Sequence, residues 1–352
     1  MKKVGEKYML KKIFSLLLLF TFCLSTNMFA QKFEGTTQVG TTSGQFLKLG
    51  AGARAIGMGG AFTGIGEDIY SVYYNPAGIA AMNGNAEVAF NHANWFADMN
   101  YDFAAGAINL QEMGVLFLTV TSFTTPEEKV RTEIYPEGDG RYWDASSFSI
   151  GLGYSRMLTD KFSIGGHFKY IRETIWDMSA SGFAVDIGTL YKTSFNGLTI
   201  GAAITNFGSD MQLDGRDIQF NTDPNADENT GPNNIPAVYD MDSYPLPLTF
   251  KLGLAMDVVN TRFLKAIVAV DAVHPNDNSE YLNTGMEIAY DQMFFVRVGY
   301  KSLFKKNSEE GLTYGAGLRY PISENFKITI NYGYADYGRL ENVQFFDLGL
   351  SF

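Results

Sequence analysis

The chain has 352 residues, of which 46% are hydrophobic and 14% aromatic, with one Cys, three His and a formal net charge of −11. That length suits two ordinary domains or one large β-barrel, and the acidic balance excludes a general nucleic-acid binder, which needs a basic footprint. A bundle of membrane-spanning helices is excluded as well, because the one long apolar run, Ile13 to Leu24, stands at the N-terminus and is too short to span a bilayer comfortably.

That run follows Lys2, Lys3, Lys7, Lys11 and Lys12 and precedes small residues at Ser25 and Ala30. The pattern predicts a secretory signal over residues 1–30, with cleavage near Ala30 and Met9 as an alternative start. Cys23 lacks the small residues that precede a lipidated cysteine, so no lipid anchor is expected. The signal carries five Lys and one Glu, so its removal leaves a mature chain of about −15 without cysteine. An exported chain of that kind relies on backbone pairing and burial in place of disulfides.

The next stretch, Phe46 to Ala81, is rich in Gly and Ala and nearly uncharged, and closes on Asn75-Pro76-Ala77-Gly78. Gly50-Ala51-Gly52-Ala53-Arg54-Ala55 satisfies a loose dinucleotide-binding pattern. That pattern works only between a strand and a helix of a parallel βαβ unit, and the sequence downstream reads as hairpins.

From Ala86 onward the dominant signal is period two. Phe148, Ile150, Leu152 and Tyr154 alternate with Ser and Gly, and Leu248 to Met256, Leu312 to Tyr320 and Phe326 to Tyr334 repeat the pattern. One face is large and apolar, and the other is small or polar with sparse charge. A soluble sandwich puts long charged side chains on its polar face, whereas small residues suit a crowded lumen and Phe, Leu and Ile suit lipid. The fold class is therefore all-β: a transmembrane antiparallel β-barrel. About fourteen strands are predicted, near 86–96, 101–110, 114–123, 146–155, 162–173, 182–192, 198–206, 247–258, 264–273, 281–290, 294–301, 312–320, 326–334 and 343–352. Tight turns follow the even strands and mostly longer loops follow the odd ones, the asymmetry of periplasmic turns and extracellular loops. Tyr154, Tyr191, Tyr290 and Tyr320 close even strands as an interfacial girdle, and the last strand ends on Phe352.

The two longest loops, Thr124–Ala145 and Phe207–Leu246, carry six and eight acidic residues. They also hold apolar and aromatic candidates for partner binding: Tyr135, Tyr142, Trp143, Ile235, Val238, Tyr239 and Met241. No loop spacing matches an EF-hand, no G-x-S-x-G elbow occurs, and His92, His167 and His274 lie on separate segments without ligand spacing. No metal, cofactor or enzymatic activity is indicated.

The segment FLKLGAGARAIGMGGAFTGIGEDIYSVYYNPAGIA resembles the N-terminal signature of the PorV/PorQ family, outer-membrane proteins similar to FadL fatty-acid transporters. The resemblance rests on Gly57-Met58-Gly59-Gly60 followed in register by Asn75, Pro76 and Ala77; Gly78, which closes the hatch motif here, departs from the PorV pattern. It implies a FadL-like barrel over residues 86–352, with residues 31–85 as a hatch in or under the lumen. It also implies residence in the outer membrane of a Bacteroidetes-like Gram-negative cell and a part in type IX secretion. The partners would be the bilayer, a large translocon barrel and secreted cargo bound through its C-terminal domain. The alternative it leaves open is a FadL-like transporter for hydrophobic small molecules. Within the hatch, Arg54 should pair with a luminal carboxylate, with Asp257, Asp271, Glu287 and Asp347 as candidates, because an unpaired buried guanidinium is costly.

Overall fold

Fourteen alternating segments pair each with the next and close on themselves. The structure is a computed structural model that describes residues 38–223, 234–323 and 325–352; the expected signal, residues 1–30, lies outside them. The barrel strands are Ala86–Asn94 (β1), Asn100–Asn109 (β2), Val115–Thr124 (β3), Ala145–Thr159 (β4), Phe162–Ile175 (β5), Met178–Lys192 (β6) and Thr199–Gly208 (β7). The second half comprises Thr249–Asn260 (β8), Leu264–Pro275 (β9), Tyr281–Tyr290 (β10), Phe294–Leu303 (β11), Leu312–Pro321 (β12), Lys327–Asp336 (β13) and Asn342–Ser351 (β14). All neighbours are antiparallel, and β14 pairs with β1 from Glu87↔Ser351 to Asn94↔Gln344, which leaves the barrel sheet without an edge. The predicted all-β barrel of about fourteen strands is the observed one.

Two features differ from the sequence expectation. β4 continues past Ser155 to Thr159 through a bulge between Met157 and Thr159, so the predicted turn at 156–161 shrinks to two residues. The predicted loop between 173 and 182 is instead a two-residue turn, Trp176-Asp177, with Trp176 at φ 49°. Met178 and Ala180 are buried there and Ser181 is exposed, so the alternation runs through a stretch whose small polar residues read as loop.

The outer face is the apolar one. Phe90, Leu118, Leu152, Phe168, Leu252 and Val296 are all exposed on it, as a lipid-facing band requires. Tyr154, Tyr191, Tyr290 and Tyr320 are exposed beside the short turns.

The inner face is small because something fills the lumen. Residues 45–82 run through it as two short 3-10 turns, Gln45–Lys48 and Pro76–Ala81, and two single α-turns, Ala53–Gly57 and Ser71–Tyr74. Ala51, Ala53, Met58, Phe62, Val72 and Ile79 are fully buried. Wall and segment touch backbone to backbone. A Cβ on Gly299 would stand 2.2 Å from the Gly59 nitrogen, and one on Gly201 would stand 2.0 Å from the Thr63 carbonyl oxygen. Glycine is required there for close approach. Toward the long-loop end the lumen is closed by Trp95, Phe96, Tyr101, Phe123, Tyr337 and Phe345, whose edge-to-face and tilted contacts lie between 5.3 and 6.5 Å. Such pairs each add about 0.5–1.5 kcal/mol beyond burial.

Gly299→Val should therefore displace the segment and leave the barrel intact. The expected outcome is new trypsin cleavage after Arg54 with unchanged heat-modifiable migration in electrophoresis. Resistance equal to the native chain would refute the close-approach reading.

Candidate functional site

A segment threaded through a closed sheet brings its backbone N–H groups into a packed interior, and each must find an acceptor. The wall supplies carboxylates for this. Asp347 Oδ2 accepts from the Ala53 nitrogen at 2.8 Å, and Asp271 Oδ2 accepts from the Phe62 and Thr63 nitrogens at 2.9 and 2.8 Å. Ser163 Oγ and Thr199 Oγ1 donate to the carbonyls of Ala77 and Gly64 at 3.0 and 2.5 Å.

Arg54 is the segment's charged anchor. Its Nε and Nη2 fork onto both oxygens of Glu287 at 2.8 and 2.6 Å, and its Nη1 donates to Asp68 Oδ2 at 2.7 Å. Of the four carboxylates open from sequence, Glu287 is the partner. Asp271 and Asp347 bind segment amides, and Asp257 pairs with Lys265 at 3.3 Å. Glu287 also receives Arg297 Nε at 2.6 Å. Arg297 Nη1 continues to Asn331 Oδ1 at 2.8 Å, and Asn331 Nδ2 to Asp347 Oδ1 at 2.6 Å. The chain of charge-assisted bonds thus leaves the segment at residue 54, passes through side chains of four strands from β10 to β14, skipping β12, and returns to it at residue 53.

Arg297 and Asn331 escaped the sequence reading. A hairpin signal could have found Arg297, because Glu287 and Arg297 stand equally far from Gln292 and pair in register. Asn331 and Asp347 likewise pair across the hairpin of β13 and β14.

The remaining motif residues serve the same seat. Asn75 is fully buried; its Nδ2 donates to the carbonyls of Thr63 and Thr189 at 2.8 and 2.9 Å, while its Oδ1 accepts from the Ala77 nitrogen at 3.1 Å. Pro76 follows at the first helical position, where its missing N–H costs nothing. Gly59 and Gly60 hold φ of 67° and 76°, the left-handed region that favours glycine, while Gly57 lies against Gly315 and Gly78 against Ser71.

The segment's other end lies among the long loops. Ser43 N donates to the Pro245 carbonyl and Gly44 N to Glu173 Oε2, both at 3.0 Å. Thr42, Gln45 and Lys48 converge on Asp277 Oδ2 at 2.9, 2.9 and 2.5 Å. Burial pushes the Asp277 carboxyl up, but the bonds from Lys48, Gln45 and Thr42 outweigh it and hold the group below its usual range.

Of the candidate partner-binding residues, Tyr142, Trp143, Ile235 and Val238 sit on two ribbons at this end, and Tyr135, Tyr239 and Met241 lie in the adjoining loop stretches. Glu128–Lys129 pairs with Tyr142–Trp143, and Gln219–Thr222 pairs with Ile235–Val238. Tyr135, Tyr142, Trp143, Ile235, Val238 and Tyr239 are exposed, while Met241 is half-buried and accepts a bond from Gln212 at its carbonyl. Sequence reasoning missed Ile134, 80% exposed, and Phe220, which stacks on Tyr239 at 4.6 Å. The turn at 176–177 touches both loops, since Arg141 lies 5.4 Å from the Trp176 ring and Arg216 pairs with Asp177.

The luminal cavities beside Leu47, Tyr73 and Lys251 are small, about 50 and 20 Å³. The smaller one borders an arrangement that sequence spacing does not indicate: Thr119 Oγ1 lies 2.9 Å from His167 Nε2, and His167 Nδ1 lies 3.2 Å from Asp186 Oδ2. The order is that of a nucleophile, base and acid, but a space of about 20 Å³ admits roughly one water. With Lys169 also bonded to Asp186 at 2.8 Å, the group forms a structural network in the wall.

A family model described as type IX secretion system protein PorV matches residues 32–225, more than half of the chain. No curated protein sequence is significantly similar. Among solved structures, the chain is similar to a FadL homologue of Pseudomonas aeruginosa, with 12% identity, a TM-score of 0.51 and coverage of 86% of this chain and 98% of that one. It is also similar to the Ralstonia pickettii toluene transporter TbuX (10% identity, TM-score 0.53, 86% and 97% covered) and the Pseudomonas putida toluene transporter TodX (12%, 0.53, 86% and 97%). At these identities the likeness is one of fold.

The Arg54 seat gives a test by coupled substitution. Glu287→Gln leaves two guanidiniums facing one amide and should lower stability in urea by about 3 kcal/mol, the cost of breaking a buried pair. Adding Arg54→Met removes one of the stranded charges and should recover part of that loss. Simple addition of the two losses would contradict the shared network.

Proposed function

The chain belongs to the PorV family of type IX secretion system proteins, and from that premise we propose that it is a plugged outer-membrane barrel that acts by binding other proteins. Residues 45–82 serve as the hatch, and the ribbons at the long-loop end serve as the binding face for the translocon barrel and for cargo C-terminal domains. The observation that carries this reading is the filled lumen: the hatch is bonded to the wall through its backbone and through Arg54, and the cavities above it hold about 50 and 20 Å³. A barrel so closed works through its outside. Exposed aromatic residues among acidic ones suit a protein interface, where Tyr and Trp are enriched.

Carriage of hydrophobic solutes is supported by the FadL-like fold and opposed by the same packing. A monoaromatic molecule does not fit a cavity of about 50 Å³ without withdrawal of the hatch.

Mild-detergent pull-down of the native protein should recover a very large barrel partner or secreted cargo. The quadruple variant Tyr142→Ala/Trp143→Ala/Val238→Ser/Tyr239→Ala should recover several-fold less while keeping its heat-modifiable migration, as expected for loss of interface anchors. Undiminished recovery by the variant would exclude these ribbons. Recovery of neither partner by the native protein, together with toluene uptake into proteoliposomes, would favour the transporter.

A further inference from the structure

At the end opposite the ribbons, three short turns are neighbours: 160–161 between β4 and β5, 193–198 between β6 and β7, and 261–263 between β8 and β9. The Lys192 nitrogen donates to the Lys161 carbonyl at 2.7 Å, Lys161 Nζ donates to Ser194 Oγ at 2.6 Å, and Gly197 lies against the Asp257 carboxyl. On this joined surface Leu158, Phe195 and Phe263 are 53%, 66% and 54% exposed. Turn tips ordinarily carry small polar residues, so two phenyl rings held out at them call for a cover other than water. Tyr154, Tyr191 and Leu264, all exposed on the adjoining strand ends, make the patch continuous with the lipid-facing band.

The charge of this patch is opposite to that of the long loops. Residues 156–161, 192–199 and 257–265 contain five basic side chains and two acidic ones, and Glu67 of the threaded segment adds a third acid, so two positive charges remain in excess. Lys192 pairs with Glu67 at 3.7 Å and Lys265 with Asp257 at 3.3 Å. Arg156, Lys161 and Arg262 are exposed and form no ion pair among the described residues, and within these turns only Asp160 offsets them. The Arg262 guanidinium lies 5.3 Å from the Phe263 ring, which places charge and apolar surface at one point.

We propose that this patch binds anionic phospholipid of the inner leaflet, with Lys161 and Arg262 facing lipid phosphates and Phe195 and Phe263 seated at the boundary of head group and acyl chain. Short turns are the periplasmic end of such barrels, so the inner leaflet is the lipid within reach. Ammonium and guanidinium groups form charge-assisted bonds to phosphate, and apolar rings beside them settle at the head-group boundary. Each basic residue held near an anionic lipid surface favours it by about fivefold. A zwitterionic lipid with the same acyl chains brings the same phosphate with its charge cancelled by the amine, so it meets only the apolar part. A soluble acidic protein would match the charge but not the continuity with the lipid-facing band.

The experiment is native mass spectrometry of the full chain, delipidated in dodecyl maltoside and given equal amounts of phosphatidylglycerol and phosphatidylcholine with identical acyl chains. The first lipid retained should be phosphatidylglycerol by about tenfold or more, the effect of two basic residues acting together. Lys161→Gln/Arg262→Gln should remove most of that preference, whereas Lys306→Gln at the long-loop end should leave it unchanged. Phe195→Ser/Phe263→Ser should lower retention of both lipids alike. If the charge variant fails to fold, the ratio on the native chain and on the Lys306→Gln control still decides. Equal retention of the two lipids by the native chain, an undiminished preference in Lys161→Gln/Arg262→Gln, or an equal loss in Lys306→Gln would overturn the proposal. So would displacement of phosphatidylglycerol by millimolar glycerol phosphate, which lacks the acyl chains.

Discussion

A threaded backbone inside a closed sheet must have every buried N–H and C=O satisfied either by its own turns or by the wall, and the rest of this molecule follows from that constraint. A strand donates its own backbone groups sideways to its neighbours, so only inward side chains are free to serve a guest. Short inward residues bring the guest's backbone close, as Gly201 and Gly299 do, and inward carboxylates cap its amides, as Asp271 and Asp347 do. Arg54 and Glu287 lock the arrangement with two-point geometry. The small inner face and the Gly/Ala-rich segment are thus two halves of one surface.

Lock and wall are coupled by the bonds that run from Arg54 through Glu287, Arg297, Asn331 and Asp347 to the Ala53 nitrogen. Arg54 is half-buried and the other members are buried, so loss of one leaves another without its partner, and buried networks of this type are costly when half-satisfied. The segment is further fixed at its outer end by the three donors that meet on Asp277. Bonded along both ends and its middle, it is built as a fixed element, which fits a barrel that acts through its long-loop surface.

How much of this the sequence disclosed depends on whether the information is local. Alternation is local, so the strands, their number and the outward face were legible from runs such as Phe148 to Tyr154. The Gly/Ala composition of residues 46–81 also showed that something packs closely there. Which wall residues receive the segment is not local: Arg54 and Glu287 are 233 positions apart, and four carboxylates were equally eligible on spacing alone. Cross-hairpin pairs such as Glu287 with Arg297, or His167 with Asp186, are an intermediate case, legible once the turn centre is known. The turn at Trp176-Asp177 was missed because Ser179 and Ser181 imitate loop composition while sitting on outward strand positions.

The central claim is that the lumen is closed by residues 45–82 in the resting protein. Current across a planar bilayer holding the purified chain tests it most directly. The account predicts no steady ion conductance at moderate voltage, because packed backbone separates the two ends of the lumen. Long-lived, uniform conductance steps of an open pore would contradict it.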